Sequence, residues 1–343
     1  MEINVTFDGD HISEETQREF IAVTEAMARL YNLMTQPLGI DPLEVECVLA
    51  EDFAAAVNAR AHGFGDADHP GFTTERVGGV VVAKNLPQVA DESRIAIVFS
   101  ADVWVNRFGE DAIQKWTLVA HEIAHPVMSR TRSLSGVLDG VPFPSLTPTE
   151  VIRASARVDW DEFRADALAD AIVQETAAIT DPNIDPADVR LAKTSVPATL
   201  AQVRIELSAA YPLWADRVQT FRERKLGLTD LWVQTARDLS QLRTLIARMT
   251  GGMGIGSREL LPKDVRELPA YRLYFDNPWE EFIRVLRESP VLTRLDEHRE
   301  VENRILALGD DSFRFALAAL GLKAEDSADR SFAVYVKEPQ RQN

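Results

Sequence analysis

Apolar and polar residues alternate at the start of the chain, placing Ile3, Val5 and Phe7 on one side of a short strand over residues 2–7. The period then changes. Ser13 predicts the N-cap of a helix, with Glu14 and Glu15 in its first turn and Phe20, Val23, Met27, Leu30 and Met34 as its buried stripe. Leu43, Val45, Cys47 and Leu49 return to a period of two, the pattern of a half-buried strand whose cysteine points inward. Residues 52–60 fit a strand or a helix equally, while residues 77–84 and 94–99 read as further strands bounded by Gly, Pro and Asp clusters. Helical spacing resumes at residues 111–120. Asp111 falls in the first turn, and Ile113, Trp116, Ala120, Ile123 and Ala124 recur on one face. A second such stripe runs through Trp160, Phe163, Leu168, Ala171 and Ile172, with Ala165, Ala167 and Ala169 keeping that helix slim.

A turn-rich stretch at residues 180–188 marks a boundary. Beyond it Leu231, Trp232, Ala236, Leu239, Leu242, Leu245, Ile246 and Met249 make a long helical stripe, which reads as packing. The glycines at 251, 252, 254 and 256 then predict a hinge or mobile loop; with no Lys-Ser/Thr after them they are not a phosphate loop. Residues 332–336 suit a strand returning to the sheet. The predicted fold class is therefore α+β: a small mixed sheet leading into motif-bearing helices over residues 1–180, then a mainly α-helical region over 181–343.

Composition narrows the setting. The 343 residues suffice for two domains or one large one, and the net charge of −17 comes without a basic cluster, so no nucleic-acid partner is expected. No apolar run approaches the ~20 residues that span a bilayer, so no membrane partner is expected. The first residues lack a basic region followed by an apolar run, and Cys47 is the single cysteine, which leaves no internal disulfide framework. These features suggest a cytoplasmic protein; they leave its oligomeric state open.

The chemistry concentrates at residues 121–125, His-Glu-Ile-Ala-His. Positions i and i+4 share a helix face, so His121 and His125 can offer two imidazole nitrogens to one ion, and Glu122 can reach a water on that ion. Pro126 predicts that the helix kinks or ends near His125. A catalytic zinc usually takes a third protein ligand. The extended His motif would need Gly at 128 and His at 131, where this chain has Met128 and Thr131. Glu162 on the slim helix is the better candidate. Asp166, one turn later, can accept the outer N–H of a ligand His and fix its tautomer, with Asp170 as a weaker alternative.

The pair His121-Glu122-Ile123-Ala124-His125 and Glu162-Phe163-Arg164-Ala165-Asp166 resembles the gluzincin metallopeptidases, and most of all the compact intracellular group typified by the ImmA/IrrE-like peptidases. The resemblance covers roughly residues 95–175, and Pro126 departs from the hydrophobic residue usual there. It implies a zincin-like domain binding one Zn2+ per chain through His121, His125 and Glu162. Glu122 would be the general base of a zinc metalloendopeptidase acting on a peptide or protein substrate. It also implies that the strand at residues 95–99 lies along the cleft as an edge, open to peptide pairing, while its apolar run fits an ordinary core strand equally. Tyr211, Tyr271, Tyr274 and His298 are all chemically able to stabilise the oxyanion, and the sequence does not choose among them. The loop at residues 62–70, with two His and two Asp, could bind a second ion or line the cleft rim, and reads first as a solvated turn. A competing expectation is a non-catalytic zinc-binding scaffold whose helical half holds a protein partner; an intact Glu122 counts against it.

Overall fold

The early period-two segments assemble into one sheet. The structure is a computed structural model that describes residues 1–40, 43–61, 75–76, 79–80, 82–87, 93–135, 147–180, 183–254, 261–326 and 332–336. Strands β1 (Glu2–Asp8) and β2 (Glu44–Ala50) pair in parallel, and a two-residue ladder joins β3 (Glu75–Arg76) to β4 (Gly79–Val80) separately. Strand β5 (Ala83–Pro87) runs antiparallel to β6 (Arg94–Ser100), and β6 runs parallel to β2, giving the order β1-β2-β6-β5. This corrects the expected edge: residues 95–99 lie inside the sheet, and β5 is the outer strand beside them. A strand whose neighbours on both sides were unknown could not be ranked as edge or centre from its own pattern.

Helix α1 (Glu14–Thr35) starts where expected, with Ser13 Oγ accepting from the Thr16 amide. Its buried stripe is Phe20, Val23, Thr24, Met27, Tyr31 and Thr35, so Tyr31 takes the central place expected of Leu30. Phe20 packs edge-on against Phe99, their ring centres 5.3 Å apart, on one face of the sheet. Helix α2 (Phe53–Ala61) resolves the ambiguous segment and covers Val48, Ala50, Leu86, Ala96 and Val98 on the other face. Cys47, Val48, Leu49 and Ala50 are consequently all buried, and β2 is not the half-buried strand that its first residues suggested. Burial pushes the Cys47 thiol up to about 12. After β6 come a π-helical turn (Val103–Arg107) and α3 (Ala112–Leu134), then α4 (Pro148–Thr180) and the short α5 (Leu191–Thr194).

The rest of the chain is helical: α6 (Val196–Arg222), α7 (Leu228–Gly252), α8 (Lys263–Arg266), α9 (Pro269–Tyr274), α10 (Asp276–Glu288) and α11 (Leu295–Ala319). Strands β7 (Leu322–Asp326) and β8 (Phe332–Val336) form their own antiparallel hairpin, so residues 332–336 do not return to the four-stranded sheet. The stripe expected on α7 is buried, from Leu231 to Met249, with Leu245 partly covered. Gly251 and Gly252 finish that helix as buried residues and are not a hinge; residues 255–260 lie outside the described residues.

Packing divides the chain into two units. The first comprises Met1–Leu138, Leu168–Thr194 and Val291–Arg299, and holds the sheet with α1, α2 and α3. The second comprises Asp139–Ala167, Ser195–Pro290 and Glu300–Asn343, around an aromatic-rich helical core that includes Trp160, Trp214, Tyr274, Trp279 and Phe313. These units do not coincide with a cut at 180/181, because α4 contributes to both, and the hydrophobic period of a helix does not say what each end packs against. No helix among the described residues is long and apolar enough to cross a membrane.

Candidate metal centre

Helix α3 is fixed at its start and again just before the histidines. Asp111 is its N-cap, accepting from the Gln114 amide at 3.1 Å. Lys115, 4% exposed, places its Nζ 2.8 Å from both oxygens of Glu19 on α1, and Trp104 donates to that same carboxylate. Tyr31 then donates its hydroxyl proton to the Ala120 carbonyl at 2.6 Å, immediately before His121. Burial raises the Tyr31 pKa, so the phenol stays a donor. Of the two expectations at Pro126, a kink or an end, the helix does not end there: α3 continues for two further turns, through to Leu134. A proline there has no N–H for the carbonyl four residues back, so the Glu122 carbonyl loses its helical partner while the surrounding packing keeps the helix intact.

The two imidazoles face each other. Their Nε2 atoms are 3.2 Å apart, and their rings meet at 77° without stacking. Zinc–nitrogen bonds of about 2.0–2.1 Å at a tetrahedral angle put two ligand nitrogens about 3.3–3.4 Å apart, so this spacing needs little adjustment to take an ion. Glu162 is the third residue that could hold an ion there. One ligand atom from each of His121, His125 and Glu162 lies within 4.8 Å of the others. The helices explain how a residue so distant in sequence arrives there. Val173 and Ala177 of α4 share an apolar cluster with Ile113 and Trp116 near the start of α3. Following α3 forward from Trp116 to His125 covers about 14 Å, and following α4 back from Val173 to Glu162 covers about 16 Å at 1.5 Å per residue. The donor set, two neutral nitrogens and one carboxylate, suits Zn2+.

The acids on α4 sort by their partners. Arg248 of α7 places its Nε 3.4 Å from both Glu162 and Asp166, so Asp166 holds a cation in addition to any contact with the imidazoles. Arg248 meets Glu162 at Oε2. Asp170 accepts from the Leu191 amide at 2.8 Å and pairs with Arg190, which commits it to the start of α5. Its pKa is raised, chiefly by burial. The close approach of α7 depends on Gly251, where a Cβ would stand 2.2 Å from the Phe163 carbonyl oxygen, one residue past Glu162.

Glu122 points toward the sheet. Asn85, in the middle of β5, donates from Nδ2 to Glu122 Oε2 at 2.6 Å. Asn85 Oδ1 is buried and has no hydrogen-bond partner among the described residues, an arrangement that costs about 1–3 kcal/mol. Three of the residues named as oxyanion donors are placed against that role: Tyr271 and Tyr274 are buried in the helical core, and His298 is buried with Nδ1 2.6 Å from the Thr293 hydroxyl. Tyr211 is exposed on α6. The His- and Asp-bearing loop at 62–70 lies outside the described residues. Sequence reasoning missed Tyr31, Asn85 and Arg248. Asn85 fell one residue past the strand expected at 77–84, and Tyr31 and Arg248 look like ordinary helix residues.

No family model, curated protein or solved structure matches this chain.

Proposed function

We propose that the chain is a zinc-dependent metallopeptidase acting on a peptide or protein segment. The observation that carries this reading is the convergence of His121, His125 and Glu162, whose donor atoms lie within 4.8 Å of one another, with Glu122 beside them on α3. Zinc in such a site polarises a carbonyl and lowers the pKa of a bound water to about 7. The protein's own groups do the rest. The Glu122 carboxylate takes the proton of the attacking water and hands it to the leaving amine. Arg248, 46% exposed beside Glu162, is a cation suited to negative charge building on the carbonyl oxygen. In the sheet formed by the described residues β5 is a terminal strand, a position from which backbone hydrogen bonds suit the pairing of an extended peptide. The zincin-like identity of the first unit belongs to the same proposal, supported by a small mixed sheet with an antiparallel outer strand next to the motif helix.

The test is metal analysis of purified protein together with a proteome-wide comparison of cleavage by the parent and Glu122→Gln. About one zinc per chain in both, with new peptide termini in the parent alone, is the expected result. Retained turnover in Glu122→Gln overturns the assigned base. A zinc-loaded parent that cleaves nothing favours the scaffold, and a parent that binds no zinc overturns the reading altogether.

A further inference from the structure

Strand β5 presents an amide where its neighbours are apolar. Asn85 lies opposite Ile97, and the same row continues across the sheet through Cys47 and Val5. Leu86, the next residue, belongs to the opposite face with α2. A β-branched residue at 85 would suit the strand and the row better than asparagine. The structure instead spends a buried, unpartnered Oδ1 to place one donor, Nδ2, on Glu122 Oε2. The orientation of the amide follows from chemistry: an ionised carboxylate only accepts, so the nitrogen must face it.

We infer that Asn85 is a positioning residue for the general base, pinning one oxygen of Glu122 so that the other stays turned to the reacting water. This inference rests on the peptidase reading above. Three features support it. The amide is neutral and donates without giving up its proton, so it fixes the carboxylate yet leaves its negative charge intact; a lysine or arginine would offset that charge. The contact also bridges two elements, β5 and α3, so it holds the base from outside its own helix. Finally, the restraint comes from β5, the terminal strand of the described sheet on the side of β6, so the base and a substrate backbone paired to that strand would be referenced to the same five residues.

A merely structural tie between β5 and α3 would be read in stability, not in turnover. The experiment takes the zinc-loaded full chain and a mixture of quenched-fluorescence peptides as probe, and compares the parent with Asn85→Ala, Asn85→Asp and Glu122→Gln. The expected result is unchanged zinc content in both Asn85 variants, kcat lowered about 10- to 100-fold in Asn85→Ala with KM within about twofold, and a loss at least as large in Asn85→Asp, where a like charge replaces the donor. Parent-like kcat in Asn85→Ala beside an inactive Glu122→Gln overturns the positioning role and leaves the peptidase reading standing. A parent that is inert and zinc-free removes that reading and the role with it. A second readout needs no activity: in metal-free protein, the unfolding midpoints of Asn85→Ala, Glu122→Ala and the double variant should be non-additive, the double losing less than the two singles together. Strict additivity overturns the Asn85–Glu122 contact itself.

Discussion

Asp159 and Arg243 are both wholly buried, yet each is satisfied. Arg243 donates from Nε to Asp159 at 2.9 Å, to the Ser312 hydroxyl at 2.9 Å and to the Gly309 carbonyl at 3.4 Å, with its guanidinium over Trp279 and Phe313. Thr244 donates to the other Asp159 oxygen at 3.0 Å. Burial pushes the Asp159 carboxyl up to about 6 from an ordinary 3.8, while Arg243 pulls the other way. A folded pKa above the unfolded one means that the native state holds the proton longer. The associated stability is therefore present below about pH 4 and lost as pH rises through 6. Urea unfolding across pH 4–7 should show that falling slope in the parent and not in Asp159→Asn. The variant should also be weaker by about 3–5 kcal/mol at neutral pH, since it leaves Arg243 without its counter-charge. An identical slope in both proteins would show that Asp159 is not the titrating group. None of this network was legible in the sequence, where Asp159 is one more acid on a helix and Arg243 interrupts an apolar stripe. His121, Glu122 and His125 were legible because their spacing is covalent: on any helix, i and i+4 share a face.

At the level of elements, helix α4 brings Glu162 to the histidines, and its neighbours decide how closely it is held. Its alanines suggested a slim helix, and Ala165, Ala167 and Ala169 are buried; glycines on the partners add two tight approaches. A Cβ at Gly251 of α7 would meet the Phe163 carbonyl at 2.2 Å, and one at Gly309 of α11 would meet the Ala156 Cβ at 2.3 Å. The first contact is with backbone, which cannot swing aside as a side chain can. Gly251→Ala should therefore force α7 off α4, destabilise the chain by about 1–3 kcal/mol and weaken zinc binding through Glu162. Urea unfolding and a zinc titration check the two effects, and parent-like values in both would mean that the helices adjust freely. The sequence showed Gly251 as part of a break in the helical pattern and gave no sign of a role for Gly309. What they do depends on a second helix that the local pattern does not contain.

For the molecule as a whole, an ion bound by the native state and not by the unfolded chain adds stability by mass action. Zinc at about a thousandfold over its dissociation constant adds about 4 kcal/mol. The parent's unfolding midpoint should rise with added zinc and fall with a chelator, and Glu162→Ala should lose most of that response. A variant as zinc-responsive as the parent would place the third ligand elsewhere. The sequence by itself determined β1, β2, β6 and β8 and the helices α1, α3, α4 and α7, since the period of apolar residues is a property of each segment. It determined the His-Glu-x-x-His face for the same reason, and Glu162 as the carboxylate to test. Only the tertiary structure decided that β5, not residues 95–99, is the outer strand, that α3 continues past Pro126, and that Tyr31, Asn85 and Arg248 stand at the site. Each of those depends on which segments lie side by side, and burial and hydrogen bonding between distant segments are settled only when the chain is folded.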